Sequence, residues 1–152
     1  MSKNMSDWST LKILILGARG QIGKELCRAL DGYGNIVELD YHSSRWCGDL
    51  RDQVGLSATV RALRPDIIIN AAAYTKVDLA ESNQPEAFVS NFNGVKTLAD
   101  EANKVGAVLV HFSTDYVYDG SLKRPYTETD TTNPINVYGN SKLKGDLAII
   151  ES

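Results

Sequence analysis

Tyr138 and Lys142 stand four residues apart in Asn136–Leu143 (NVYGNSKL). That spacing puts both side chains on one face of a helix. A free tyrosine, with a pKa of about 10, is a poor proton donor or base near neutrality. A neighbouring ammonium favours its phenolate and lowers that value. Such a tyrosine could pass a proton to a carbonyl oxygen while hydride arrives at the carbon, and the lysine could also hold a nicotinamide ribose. Gly139 beside the tyrosine reads as room for a ring to approach. An exposed Tyr and Lys on an amphipathic helix would have the same spacing, so the pair gains weight only from what surrounds it.

The strongest companion is Gly17–Gly23 (GARGQIG), a G-x-x-G-x-x-G pattern directly after an apolar run. One glycine permits the tight turn, one lets the backbone approach a pyrophosphate, and one lets the following helix pack close to the strand. The helix start, with Gly20, Gln21 and Ile22, offers N–H groups and a partial positive charge to phosphate. Asp40 lies 17 residues past Gly23, at the end of a second apolar run, where an acid can bond the adenine ribose. Arg19 is read either as a partner for a 2′-phosphate or as a solvated loop residue. Like-charge repulsion from Asp40 disfavours a 2′-phosphate and Arg19 offsets it, so use of both NADH and NADPH is expected. Ser113 and Thr114 follow the fourth apolar run, and a Thr114 hydroxyl could polarise a substrate carbonyl. Ala71, Ala72 and Ala73 end the third run with small side chains that leave space for a cofactor. His111 reads as structural, and His42, Cys27 and Cys47 have no partner spacing that would give them chemistry.

The elements that must position these residues follow from periodicity. Lys12–Leu16 (KILIL) is too short for a helix and suits a strand buried on both faces. Ile22, Leu26, Ala29 and Leu30 repeat at helical spacing up to Gly32 and Gly34. Ile36–Asp40 predicts a second strand; Leu56, Val60 and Leu63 a helix stopped before Pro65; Asp66–Ala73 a third strand. Pro85 opens a helix whose apolar face is Phe88, Phe92, Val95, Leu98 and Ala102, ended by Gly106. Ala107–Phe112 predicts the fourth strand, a polar loop follows, and a last helix starts near Pro134. The alternation requires an α/β fold, a Rossmann-like doubly wound parallel sheet with helices on both faces. Residues 1–10 read as a disordered lead and residues 11–152 as one domain, its sheet incomplete at the C-terminal end, like the front portion of a larger protein.

Composition agrees. The chain has 152 residues, 43% hydrophobic and 23% charged, within globular averages. Sixteen Lys and Arg against nineteen Asp and Glu argue against a nucleic-acid binder. No apolar run approaches the ~18 residues of a membrane span, and the polar N-terminus has no signal-peptide core. Two cysteines make neither a disulfide framework nor a metal cage. A cytoplasmic protein is expected.

These motifs resemble the extended short-chain dehydrogenases/reductases from about Leu11 to the chain end. Besides GARGQIG they are Arg64–Ala73 (RPDIIINAAA), Val77–Glu81 (VDLAE), Ser113–Tyr116 (STDY) and NVYGNSKL. The likeness is strongest to the branch that reduces the 4-keto group of a dTDP-sugar with NADPH or NADH, the last step of dTDP-L-rhamnose synthesis. The resemblance implies Thr114, Tyr138 and Lys142 as the catalytic triad; Ser113 and Thr114, from their place after the fourth strand, are expected on the substrate. It implies cofactor contacts at Gly20 to Ile22, Asp40, Asp49, Leu50, and Ala73, Tyr74 and Thr75. Some members bind magnesium at a homodimer contact through a first-helix glutamate, which Glu25 matches. Related dehydratases follow the threonine with Asp and Glu; here Asp115 and Tyr116 follow, which favours simple reduction. A sugar-nucleotide epimerase and a non-catalytic nucleotide-binding or regulatory protein are the competing readings. Family members are roughly twice as long, so this chain is expected to bind dinucleotide but to reduce a sugar nucleotide poorly.

Overall fold

A computed structural model describes residues 8–152. Four parallel strands form one sheet: β1 Lys12–Leu16, β2 Asn35–Leu39, β3 Ile67–Asn70 and β4 Val108–His111, in the order β2-β1-β3-β4. Between them run α1 Gln21–Ala29 and α2 Gln53–Leu63. After β3 come α3 Val77–Ser82, α4 Gln84–Phe88, a π-helical turn Val89–Gly94, and α5 Val95–Val105. The last helix, α6, spans Val137–Ile150.

Alternation along β1 explains why the sheet is covered twice. Leu14 and Leu16 pack with Ile68 against Leu56 and Val60 of α2 and Leu98 and Ala102 of α5. Ile13 and Ile15 pack with Ile69 on the other face, against Leu26 and Leu30. Successive strand residues point to opposite faces, so a run apolar at every position needs a helix layer on each side. α5 and α6 extend the layer that carries α2.

Helix ends carry their own signals. Asp52 caps α2 by accepting from Gly55 N–H at 2.9 Å. Asn136 caps α6 by accepting from Gly139 N–H at 2.7 Å. Capping by Asn136 starts α6 three residues later than the position of Pro134 implied, because the cap satisfies N–H groups that proline's position could not. β2 runs Asn35–Leu39, so Asp40 lies just beyond its end, and β3 stops at Asn70, leaving Ala71–Ala73 as loop. α3 has no counterpart among the expected elements; VDLAE is too short to display a helical period. The single helix expected after Pro85 is broken by the π-helical turn, a deviation that periodicity cannot reveal. Of the expected lead, residues 1–7 lie outside the described residues, and Trp8–Thr10 form a 3-10 turn. β4 is the edge of the sheet, with Val108 61% and Val110 41% exposed.

Candidate active site

The chain leaves β1 toward β2 on one side and returns to β3 on the other. In open α/β sheets the crevice outside the strand ends at such a reversal is where ligands bind. Here the loop after β1 meets the loop after β3. Gly17 has φ +77°, and a methyl on it would lie 2.7 Å from the Ala72 nitrogen. Only glycine allows that backbone approach. Gly23 is packed against the backbone of Gly17, whereas a methyl on Gly20 would meet only the Gly17 carbonyl, at 3.2 Å. The three glycines therefore divide the work: two hold the turn and the strand–helix contact, and Gly20, which is solvent-exposed, leaves a face open at the start of α1. With small Ala71–Ala73 alongside, the cradle fits a pyrophosphate.

Asp40 is buried beneath this crevice. It accepts from His42 N–H at 2.7 Å and pairs with Arg19 Nε at 2.7 Å, while the Arg19 side chain is 77% exposed. Arg19 is thus an ion-pair partner of Asp40 with a face turned to solvent. Asp49 is held by Arg51 through bonds of 2.7–3.1 Å, which keep its carboxyl below the usual range. Leu50 is core, packed with Leu39 and Leu56, so its side chain is not free to line a ligand. Thr75 is exposed. Glu25 is exposed and paired with Arg28. Among the described residues no group of three or more His, Cys, Asp or Glu could hold a metal ion, so the magnesium expectation has no support.

The second half of the site gathers at the ends of β3 and β4. Thr114 follows β4; its side chain accepts from Tyr116 N–H at 3.3 Å, donates to Asp115 Oδ1 at 3.4 Å, and lies near the Tyr138 hydroxyl. The Tyr116 and Tyr138 rings meet edge to face, with centroids 5.6 Å apart. Burial pushes the Tyr138 phenol above its ordinary value; the nearby Thr114 hydroxyl opposes this, and Asp115 adds to it. That reverses the expected lowering by Lys142. The lysine is 2% exposed and directs its ammonium elsewhere, to the Phe112 carbonyl at 2.5 Å and to His111 Nε2 at 3.0 Å. Gly139 does not leave room for a ligand ring; the Tyr116 carbonyl occupies that space.

Several residues that sequence reasoning passed over belong here. His111 touches Lys142 and is more than a strand residue. Burial pushes its ring down to about 3, so it is neutral. Ser113 donates to Asp146, four residues beyond Lys142 on α6. Asn91, 1% exposed in the π-helical turn, accepts from Tyr74 N–H at 2.8 Å and donates to the Tyr74 carbonyl and Ser141 Oγ, both at 3.0 Å. Ser141 in turn donates to the Tyr138 carbonyl at 2.7 Å. One buried amide therefore ties the loop after β3 to the helix that carries Tyr138 and Lys142. Its only signal in the sequence is a polar residue on an otherwise apolar helical face. The Tyr74 hydroxyl is buried without a hydrogen-bond partner among the described residues.

Comparison with known proteins agrees with this geometry. The chain is 49% identical over 141 residues to dTDP-4-dehydrorhamnose reductase of Escherichia coli K12, covering 93% of this chain and 47% of that protein. It superposes on the dTDP-4-dehydrorhamnose reductase of Clostridium acetobutylicum with a TM-score of 0.88 at 37% identity, covering 93% of this chain and 49% of that one. The Bacillus anthracis enzyme of the same name, solved in complex with NADP, superposes with a TM-score of 0.87 at 38% identity, covering 93% and 50%. The chain spans about half the length of the relatives it matches. Among the described residues no helix is long and apolar enough to cross a membrane. Residues 11–152 match the family described as the RmlD substrate binding domain, and the chain belongs to that family.

Proposed function

We propose that this chain forms the nicotinamide-cofactor-binding and catalytic part of a reductase that converts the 4-keto group of a dTDP-sugar to an alcohol, dTDP-4-dehydrorhamnose giving dTDP-L-rhamnose. The observation that carries the reading is the Tyr138 hydroxyl beside Thr114 at the end of β4, with Lys142 buried one turn along the same helix. Relatives named for this reaction support it.

Gly17, Gly20, Gln21, Ile22 and Gly23 would hold the pyrophosphate, Asp40 and Arg19 the adenine ribose, and Ala71–Ala73, Tyr138 and Lys142 the nicotinamide end. When bound, NADPH or NADH supplies hydride to the keto carbon. Thr114 donates a hydrogen bond to the keto oxygen and so favours the charge that develops there. Tyr138 gives its proton to that oxygen, completing the alcohol. Burial suits this direction, because it keeps the phenol protonated until a basic alkoxide forms beside it. The Lys142 ammonium stabilises the phenolate left behind and bonds the ribose. Replacing the second carboxylate of dehydratases by Tyr116 leaves no acid–base pair for elimination.

The test has two parts. Titrating NADH or NADPH into the protein by fluorescence should give saturable binding. Adding dTDP-4-dehydrorhamnose to a full-length reductase that carries this part should cause net loss of the 340 nm absorbance of the cofactor (a general property of reduced nicotinamides). An epimerase would leave that absorbance unchanged, and a regulatory protein would bind without turnover; either result overturns the reading.

A further inference from the structure

Lys142 raises a physical problem that the proposed chemistry does not solve. An ammonium at 2% exposure loses its hydration, and burial pushes the group toward its neutral form. A neutral amine could neither steady a phenolate nor favour its formation. Something on the protein must compensate.

The Phe112 carbonyl takes one N–H of the ammonium at 2.5 Å, and two side chains complete its surroundings, one in contact and one beyond it. His111, on β4, presents Nε2 at 3.0 Å from Lys142 Nζ. A charged lysine has three donors and no acceptor, so this imidazole nitrogen must be unprotonated. The ring's other nitrogen lies 3.0 Å from the side-chain nitrogen of Asn70, whose oxygen accepts from Ala72 N–H at 3.1 Å, so the ring sits against the loop after β3. Asp146, one turn beyond Lys142, places Oδ1 at 3.7 Å from the same His111 nitrogen, and its other oxygen accepts from Ser113. Lysine and carboxylate thus flank one imidazole nitrogen. Asp146 is the charge that acts on Lys142, and Lys142 acts back on it. Other charged groups around α6 are engaged elsewhere. Glu81 of α3 accepts from Val137 N–H at the helix start, Asp115 acts on Tyr138, Lys144 lies over Phe88 and Phe92, and Glu101 of α5 is tied to Arg61 and Lys104.

We propose that Asp146 and His111 are positioning residues for the Tyr138–Lys142 pair: the half-buried carboxylate is the counter-charge and the imidazole the fixed acceptor that together keep the Lys142 ammonium charged and aimed beneath the cofactor crevice. Ser113, assigned to substrate from its sequence position, serves this assembly by orienting Asp146. The inference rests on the reading of Lys142 as part of the catalytic pair.

The test reads the lysine directly and needs no turnover. With 13C-labelled lysine in the 152-residue chain, the Lys142 Cε shift is followed against pH, assigned by its loss in Lys142→Met. The wild-type curve should carry a second inflection in the acidic range, where Asp146 titrates. Asp146→Asn should lower the lysine midpoint by about one pH unit or more, the usual effect of losing a nearby opposite charge. Asp146→Glu should restore it, which a merely structural role would not. NADH affinity above the lowered midpoint should fall in Asp146→Asn. An unchanged midpoint in Asp146→Asn, or a wild-type curve with no acidic inflection, overturns the proposal; the second criterion holds even if the variant does not fold. A shifted midpoint with unchanged NADH affinity leaves the Lys142–Asp146 coupling standing and instead overturns the catalytic reading on which it was built.

Discussion

The glycine loop and the Tyr138 cluster lie at the same end of one sheet, yet they are built in different ways. The first is backbone: seven consecutive residues, Gly17–Gly23, turn from β1 into α1, held by close backbone packing at Gly17 and Gly23. The second is side chain, and its members come from β3, β4, the π-helical turn and α6. Asn91 reaches 50 residues along the chain to Ser141, and Asn70 reaches 41 to His111. A backbone site tolerates changes of side chain but not of glycine. A side-chain site tolerates nothing that unpairs a buried polar atom.

The largest expected effect falls on the second region. Tyr138→Phe in a full-length reductase that carries this part should lower the rate of cofactor oxidation by roughly 10²–10⁴-fold with NADH affinity nearly intact. Near-normal turnover would show that another group gives the proton. Next, Asn91→Ala should destabilise the fold by about 2–4 kcal/mol, because it strands the Tyr74 amide groups and Ser141 in a buried place. Chemical denaturation measures it, and a loss under about 1 kcal/mol would mean water replaces the amide. In the first region, Gly20→Val should weaken NADH binding by more than roughly tenfold, the worth of one charge-assisted hydrogen bond, while leaving the melting temperature nearly unchanged. Gly17→Ala should instead lower the melting temperature, since its φ of +77° and the nearby Ala72 backbone leave no place for a methyl. Equal behaviour of the two variants would erase the division of labour among the glycines.

Two smaller effects sharpen the contrast. His111 has a folded value of about 3 against an ordinary 6.5. The unfolded chain binds its proton first, so stability from this residue is full above pH 6.5 and is lost as pH falls toward 3. His111→Asn should therefore flatten the stability curve between pH 6.5 and about 5, where most carboxylates are not yet titrating; an unchanged slope there would place the imidazole in solvent. Arg19→Ala should be the mildest change. The Arg19–Asp40 pair is largely exposed on the arginine side, so the preference between NADPH and NADH should move by less than about tenfold, toward NADH.

The legibility of the two regions follows the same division. All four strands, the glycine loop and the Tyr138–Lys142 pair were readable because each is a local pattern: an apolar run, a glycine spacing, a helical interval. Boundaries moved by one to three residues wherever a cap decided them, as at Asn136. The π-helical turn and α3 were not readable, since neither has a period of its own. Asn91, His111 and Asp146 were missed for another reason. Each is an ordinary polar residue in its own segment, and its partner lies on a different element.

Local sequence determined that this chain would alternate strand and helix, bury the sheet on both faces, and carry a glycine loop at the end of β1. The hydrophobic period and the conformational freedom of glycine suffice for that, because both act between near neighbours. Only the tertiary structure decided the electrostatics. The same Lys142 that sequence places beside Tyr138 turns its ammonium to Phe112 and His111, and burial raises the tyrosine that proximity to a charge was expected to lower. Desolvation depends on everything packed around a group, whatever its place in the chain, and no spacing of residues encodes it.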